Sequence, residues 1–129
     1  MATILVVDDD SDVVRLISDI LKGRGHQPII ARDGADALLR AEELGPSLIV
    51  LDRELPRIDG LETCRRLRAN DSTRAIPVLM LTASVVDIEQ VTAPGAPDAW
   101  LMRPFLRELF IDNVDRLLSA APRGATPVL

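Results

Sequence analysis

The stretch LIVLDRELPRIDG, residues 48–60, joins an apolar run to a carboxylate and then to a turn. The run Leu48–Leu51 is continuous rather than alternating, which indicates a strand covered on both faces, as in a parallel sheet. Asp52 follows this run directly, and Pro56 and Gly60 mark the loop after it. In open α/β sheets, ligands bind beyond the carboxyl ends of the strands, so Asp52 is a candidate site residue.

The rest of the chain repeats this pattern of apolar runs and helical stripes. The predicted strands are Ile4–Val7, Pro28–Ala31, Ser47–Leu51, Ile76–Leu81 and Trp100–Met102. The predicted helices are one from a cap at Asp10 or Ser11 to Gly23 or Gly25, then Asp33–Leu44, Gly60–Ala69, Ser84–Thr92 and Pro104–Leu118. The fourth helix is weak, because it is rich in β-branched residues and a Pro-Gly-Ala-Pro segment follows it. Strands that alternate with helices predict a single doubly wound α/β domain. We assign it to residues 1–120 and expect residues 121–129 to be a disordered tail.

Composition excludes several classes of protein. A net charge of -5 and a pI near 4.8 argue against direct binding of nucleic acid. The single cysteine, Cys64, cannot form an internal disulfide and suits a reducing compartment. No apolar run approaches the ~20 residues of a membrane span, and the N-terminus does not look like a signal peptide. We therefore expect a cytoplasmic protein that does not contact the membrane.

Charged and polar residues gather at the predicted strand ends. Asp8 and Asp9 follow the first strand, Asp52 the third, Thr82 the fourth and Arg103 the fifth. Parallel strands bring these residues to one edge of the sheet. Clustered carboxylates repel, so at least one should have a raised pKa unless a cation neutralises them. Oxygen ligands of this kind suit Mg²⁺, which also accepts phosphate oxygens readily.

Four landmarks, taken in order, resemble the receiver domain of two-component response regulators. They are Asp8-Asp9, Asp52 to Gly60, Leu81-Thr82-Ala83 and Arg103-Pro104-Phe105. The resemblance covers about residues 2–120. It implies a flavodoxin-like fold with strand order 2-1-3-4-5. It also implies a phosphorylation-activated signalling switch whose only catalysis is its own phosphotransfer and autodephosphorylation, rather than a turnover enzyme.

The resemblance implies a phosphoryl-accepting metal site. Asp52 would accept the phosphoryl group from a sensor histidine kinase or a histidine phosphotransfer protein. Asp9, Asp52 and the backbone carbonyl of Glu54 would bind Mg²⁺ or Mn²⁺, and Asp8 would act through water.

The resemblance also implies a switch. Thr82 and Arg103 would bind the phosphate, Trp100 would move with Thr82, and the peptide bond before Pro104 would be cis. The face formed by helix 4, strand 5 and helix 5 would bind a downstream effector, and a homodimer stays open.

The chain departs from the family pattern at several positions. The family's lysine before Pro-Phe is Arg103 here, and the single lysine, Lys22, lies at the end of the first helix. Glu54 and Arg57 stand where the loop is usually neutral or apolar, and Glu54 adds charge near the path of an attacking water. These departures keep two alternatives open: a degenerate receiver that acts as an interaction module, and a small phosphatase with an aspartyl nucleophile. Arg65, Arg66 and Arg68 are expected to form a solvated helix face.

Overall fold

The structure, a computed structural model, describes residues 1–86 and 88–120. Its strands are β1 (Thr3–Val7), β2 (Gln27–Ala31), β3 (Leu48–Asp52), β4 (Val78–Thr82) and β5 (Ala99–Met102). Its helices are α1 (Ser11–Gly23), α2 (Gly34–Leu44), α3 (Gly60–Ala69), α4 (Ile88–Thr92) and α5 (Arg107–Ser119). The strands form one parallel sheet in the order β2-β1-β3-β4-β5. The predicted fold class and strand order are confirmed.

Alternating side chains of the strands feed two separate cores. Ile4, Leu48 and Leu79 belong to the core that α1 and α5 cover. Leu5 and Ile49 point the other way, into the core that α2 and α3 cover. Since both faces of the sheet are buried, β3 and β4 are apolar up to their last residues, Asp52 and Thr82. No helix of the described residues is long and apolar enough to span a membrane.

Aspartates begin three of the helices. The side chains of Asp10, Asp33 and Asp59 accept backbone N–H groups from the first turns of α1, α2 and α3. These bonds satisfy donors that have no partner within the helix. Asp10 is therefore a cap, as expected, and the acids that remain for chemistry in this segment are Asp8 and Asp9.

Element boundaries differ from the predictions where backbone bonds intervene. β4 begins at Val78, because the Ile76 N–H donates instead to Thr73 in the preceding turn. α5 begins at Arg107, since its first bond runs from the Phe110 N–H to the Leu106 carbonyl. α4 covers Ile88–Thr92 rather than the longer range predicted from Ser84. The predicted tail, 121–129, lies outside the described residues.

The expected solvated face of α3 is wrong for one arginine. Arg65 and Arg66 are exposed and pair with Glu62, whose pKa they lower. Arg68 instead keeps only 7% of its side chain exposed and lies 2.6 Å from Asp98 Oδ2. It also donates to the Ile76 carbonyl, while Asp98 accepts the Val78 N–H. Arg68 thus ties α3 to the start of β4, because its long side chain folds over the edge of the core.

Candidate functional site

Three carboxylates meet at the carboxyl edge of the sheet. One oxygen from each of Asp8, Asp9 and Asp52 lies within 4.8 Å of the others. Asp8 and Asp52 are buried at 1% and 3% exposure, whereas Asp9 is exposed. Asp52 is the last residue of β3, and β1 pairs with β3 so that Val7 faces Leu51. The register of the sheet therefore brings the acids together, as the sequence predicted.

Burial makes Asp8 and Asp52 hard to ionise. It raises the pKa of Asp52 to about 7, and the neighbouring Asp8 carboxylate adds to the rise. Burial likewise raises the pKa of Asp8, although the Asp10 N–H and Arg103 favour its charged form. The sequence predicted a raised pKa in this cluster, and Asp8 and Asp52 both have one. A cation bound here would stabilise both as carboxylates.

Arg103 forms ion pairs with two acids of this cluster. Its Nη2 lies 3.2 Å from Asp52 Oδ1, and its Nη1 lies 3.6 Å from Asp8 Oδ2. The same Nη2 is 3.7 Å from Glu54 Oε2. A planar guanidinium can reach several carboxylates at once, which the point charge of a lysine ammonium cannot do in the same way. The Arg103–Pro104 peptide bond is cis, the geometry that the resemblance implies.

The acid cluster fits a hard divalent cation. Asp8 Oδ2 is fully buried and accepts no hydrogen bond from the described residues. Such an oxygen is costly to bury unless something binds it. Asp9 and Asp52 place further carboxylate oxygens beside it, and oxygen donors of this type are those that Mg²⁺ binds in proteins. The donor set therefore suits Mg²⁺ or Mn²⁺.

Thr82, the last residue of β4, and Ala83, which follows it, contact the Glu54 carboxylate. Thr82 is fully buried, and its Oγ1 lies 3.3 Å from Glu54 Oε1 and 3.2 Å from the Ser84 carbonyl oxygen. The single hydroxyl proton can serve only one of these acceptors at a time. The Ala83 N–H donates to Glu54 Oε1 at 3.1 Å. Glu54 is thus held by the residues at the end of β4.

The loop after Asp52 is closed by short backbone contacts. The Glu54 N–H donates to Asp52 Oδ1 at 3.1 Å, and the Gly60 N–H donates to the Arg53 carbonyl at 2.9 Å. A Cβ at Gly60 would lie 2.6 Å from Arg53 Cα, so only glycine fits there. Arg57 adopts a positive φ of 65°, and its guanidinium pairs with Asp33. These contacts fix the backbone of the loop after Asp52.

Trp100 lies apart from the acids, against the core under α2 and α3. The guanidinium carbon of Arg53 is 5.9 Å from the centre of its ring, within the range of a cation–π contact. The Trp100 Nε1 is buried and donates to no acceptor among the described residues. The predicted movement of Trp100 with Thr82 stays a prediction.

Sequence reasoning found most of the cluster and missed two features. Asp8, Asp9, Asp52, Thr82 and Arg103 come together, as strand ends predict. The side chain of Glu54 turns toward Ala83 and Thr82, which the sequence did not predict. The contact of Arg53 with Trp100 was also missed. Alternation along β3 could have indicated this contact, because Arg53 follows Leu51 by two residues and so lies on the same face of the sheet. Leu51 and Trp100 belong to the same hydrophobic core.

Comparison with known proteins agrees with this geometry. The sequence pattern of the response regulator receiver domain matches residues 4–115. The chain belongs to this family, and it is a receiver domain of the two-component response regulator type.

Three similar proteins illustrate the match. The DNA-binding response regulator MtrA of Mycobacterium tuberculosis is 39% identical over 104 residues, which are 79% of this chain and 44% of MtrA. The chain thus spans less than half the length of that relative. The structure of a putative response regulator from Chloroflexus aurantiacus superposes with a TM-score of 0.85 at 30% identity, over 92% of this chain and 98% of that one.

The third similar protein is the receiver domain of a Pseudomonas aeruginosa sensor histidine kinase, which holds a magnesium ion in its active-site cleft. It matches with a TM-score of 0.83 at 26% identity, over 92% of this chain and 98% of that chain.

Proposed function

We propose that this receiver domain accepts a phosphoryl group on Asp52 from a phosphohistidine of a sensor kinase or a phosphotransfer protein. The observation that carries the proposal is the convergence of Asp52 with two further carboxylates and one guanidinium in a single pocket. A carboxylate oxygen of Asp52 attacks phosphorus, the new P–O bond forms, and the P–N bond breaks. The electron pair of that bond leaves with the donor imidazole, which then takes up a proton. The product is an acyl phosphate.

The residues around Asp52 lower the activation barrier of phosphoryl transfer by placing positive charge and hydrogen-bond donors near the phosphoryl oxygens. The transferred group carries negative charge on its oxygens throughout. Arg103, the Thr82 hydroxyl and the Ala83 N–H are the donors placed to bind those oxygens. Asp9, Asp52 and the Glu54 carbonyl would hold Mg²⁺ or Mn²⁺, and Asp8 would act through water; the ion would supply the positive charge that a phosphoryl group and three acids need. This assignment follows the family resemblance and the donor set.

The output surface that we propose is the face of α4, β5 and α5. It exposes large apolar side chains on all three elements, namely Ile88, Val91, Met102, Leu106 and Leu109. Exposed apolar side chains clustered on one face are typical of surfaces that bind other proteins. A downstream effector, or a second copy of the domain, would bind here once Asp52 is phosphorylated.

One observation favours a second candidate, an interaction module that does not accept phosphate. Glu54 and Arg103, both departures from the family pattern, contact each other across the site. If their pairing closed the pocket permanently, the domain would bind partners without phosphorylation.

Intact-mass spectrometry after incubation with acetyl phosphate separates the two candidates. We expect the wild type to gain the mass of one phosphoryl group with Mg²⁺ and not with chelator. Asp52→Asn should gain none, while Asp112→Asn, which removes an exposed acid from α5, should behave as the wild type. A wild type that stays unmodified under all conditions would support the interaction module. Turnover of p-nitrophenyl phosphate at many cycles per protein would instead support the phosphatase alternative.

A further inference from the structure

The Glu54 carboxylate makes three contacts with the donors that a phosphoryl group would use. Its Oε1 accepts the Ala83 N–H at 3.1 Å and lies 3.3 Å from Thr82 Oγ1. Its Oε2 lies 3.7 Å from Arg103 Nη2. A backbone N–H, a hydroxyl and a guanidinium that converge on one carboxylate form an anion-binding site.

We propose that Glu54 is a built-in competitor of the phosphoryl group: its carboxylate occupies the donors at the end of β4, and phosphorylation of Asp52 requires its displacement. The proposal rests on the function proposed above and adds its regulation. Two anions cannot share the Ala83 N–H and the Thr82 O–H, because each of these donors offers one proton and like charges repel. The Glu54 carboxylate must therefore leave before phosphoryl oxygens can bind Thr82 and Ala83.

Glu54 is free to leave. Its side chain is 39% exposed, while that of Asp52 beside it is 3% exposed. Rotation about its own side-chain bonds takes the carboxylate into water without moving the backbone, which the Asp52 carboxylate and Gly60 hold. Partly exposed charge pairs are weak, so the competition adjusts affinity rather than preventing phosphorylation.

The contact also links two segments. Glu54 lies in the loop after β3, and Ala83 begins the segment between β4 and α4. In the unphosphorylated domain, Glu54 holds that segment in one position. When a phosphoryl group takes over the donors, the tie to the β3 loop is lost and the segment is held by Asp52 instead. The exchange of one anion for another thus changes which element holds Ala83, the first residue after β4.

Binding of beryllofluoride in the presence of Mg²⁺, followed by fluorine NMR, tests the proposal. Glu54→Ala removes the competitor, and we expect it to bind beryllofluoride about tenfold more tightly than the wild type, since a charge-assisted contact is lost from the free state only. The control is Glu43→Ala, which removes an exposed carboxylate from α2 and should leave the affinity unchanged.

Glu54→Asp separates competition from simple repulsion. Aspartate keeps the negative charge but is one methylene too short to reach the Ala83 N–H. Competition predicts that Glu54→Asp binds more tightly than the wild type and resembles Glu54→Ala. Repulsion by a nearby charge predicts that Glu54→Asp resembles the wild type or binds more weakly, and that result would overturn the proposal.

Failure of this inference can be told from failure of the proposed function. If the wild type binds beryllofluoride, Asp52→Asn does not, and Glu54→Ala binds with wild-type affinity, then only the competitor role is wrong. If neither the wild type nor Glu54→Ala binds the analogue, then the phosphoacceptor assignment is wrong and the competitor role falls with it. Thermal unfolding of each variant checks that the loop still folds.

Discussion

Two segments leave the carboxyl edge of the sheet side by side, and they are held very differently. The loop after β3, residues 53–59, is closed by backbone bonds at both ends and leads into α3, which packs Cys64 and Leu67 into the core. The segment after β4 leads into α4, a helix of five residues of which none is buried. Elements with few buried contacts open at low free-energy cost. The proposed phosphoacceptor thus lies beside a firmly packed segment, and the proposed output surface includes a loosely packed one.

The largest effect in this comparison should come from the anchor of α3. Arg68→Ala removes a largely buried guanidinium that binds both Asp98 and the Ile76 carbonyl, and the loss of these charge-assisted hydrogen bonds should cost about 3 kcal/mol. Arg66→Ala, which removes an exposed partner of Glu62, should cost under ~1 kcal/mol. Urea unfolding of both variants measures the difference. Equal losses of stability would show that Arg68 does not anchor α3.

Asp52, the last residue of β3, should lower the free energy of unfolding as the pH rises. In the metal-free domain, burial raises the pKa of Asp52 from 3.8 to about 7, so the folded state binds this proton more tightly than the unfolded chain does. The stabilisation that this proton provides is complete below pH ~4 and is lost as the pH rises through ~7. Between pH 5 and 8, we expect the wild type to lose about 2–3 kcal/mol relative to Asp52→Asn.

Urea unfolding without metal at these two pH values is the measurement, and Mg²⁺ should restore stability to the wild type at pH 8. Asp112→Asn, the matched control on α5, should keep the wild-type pH dependence. The same pH dependence in Asp52→Asn would contradict the raised pKa.

The smallest effect should come from the loosely packed half. Ile88 of α4 is 77% exposed, whereas Ile17 of α1 is fully buried. Ile88→Ala should change the free energy of unfolding by no more than ~0.5 kcal/mol. The same substitution at Ile17 should cost about 2–5 kcal/mol. A cost above ~1 kcal/mol at Ile88 would mean that the Ile88 side chain is packed against the rest of the domain.

The sequence predicts the strands and the acids beside the loop after β3 far better than it predicts α4. Continuous apolar runs define β1 and β3, and the alternation of strands with helices places Asp8, Asp9 and Asp52 at one edge. The extent of α4 could not be predicted, because its β-branched residues carry no clear period and bury nothing. Neither could the direction of long charged side chains. Arg68 folds inward and Glu54 turns to Ala83 because of partners on other elements, which local patterns do not contain.

Asp52, and no other acid of the cluster, is the residue that we propose accepts the phosphoryl group. Borohydride reduction of the acyl phosphate formed from acetyl phosphate and Mg²⁺, followed by peptide mapping, marks the acceptor directly. We expect a single modified residue, Asp52. Modification of Asp8, Asp9 or Glu54 in its place would contradict the account, because these residues would then be acceptors rather than metal ligands or competitors.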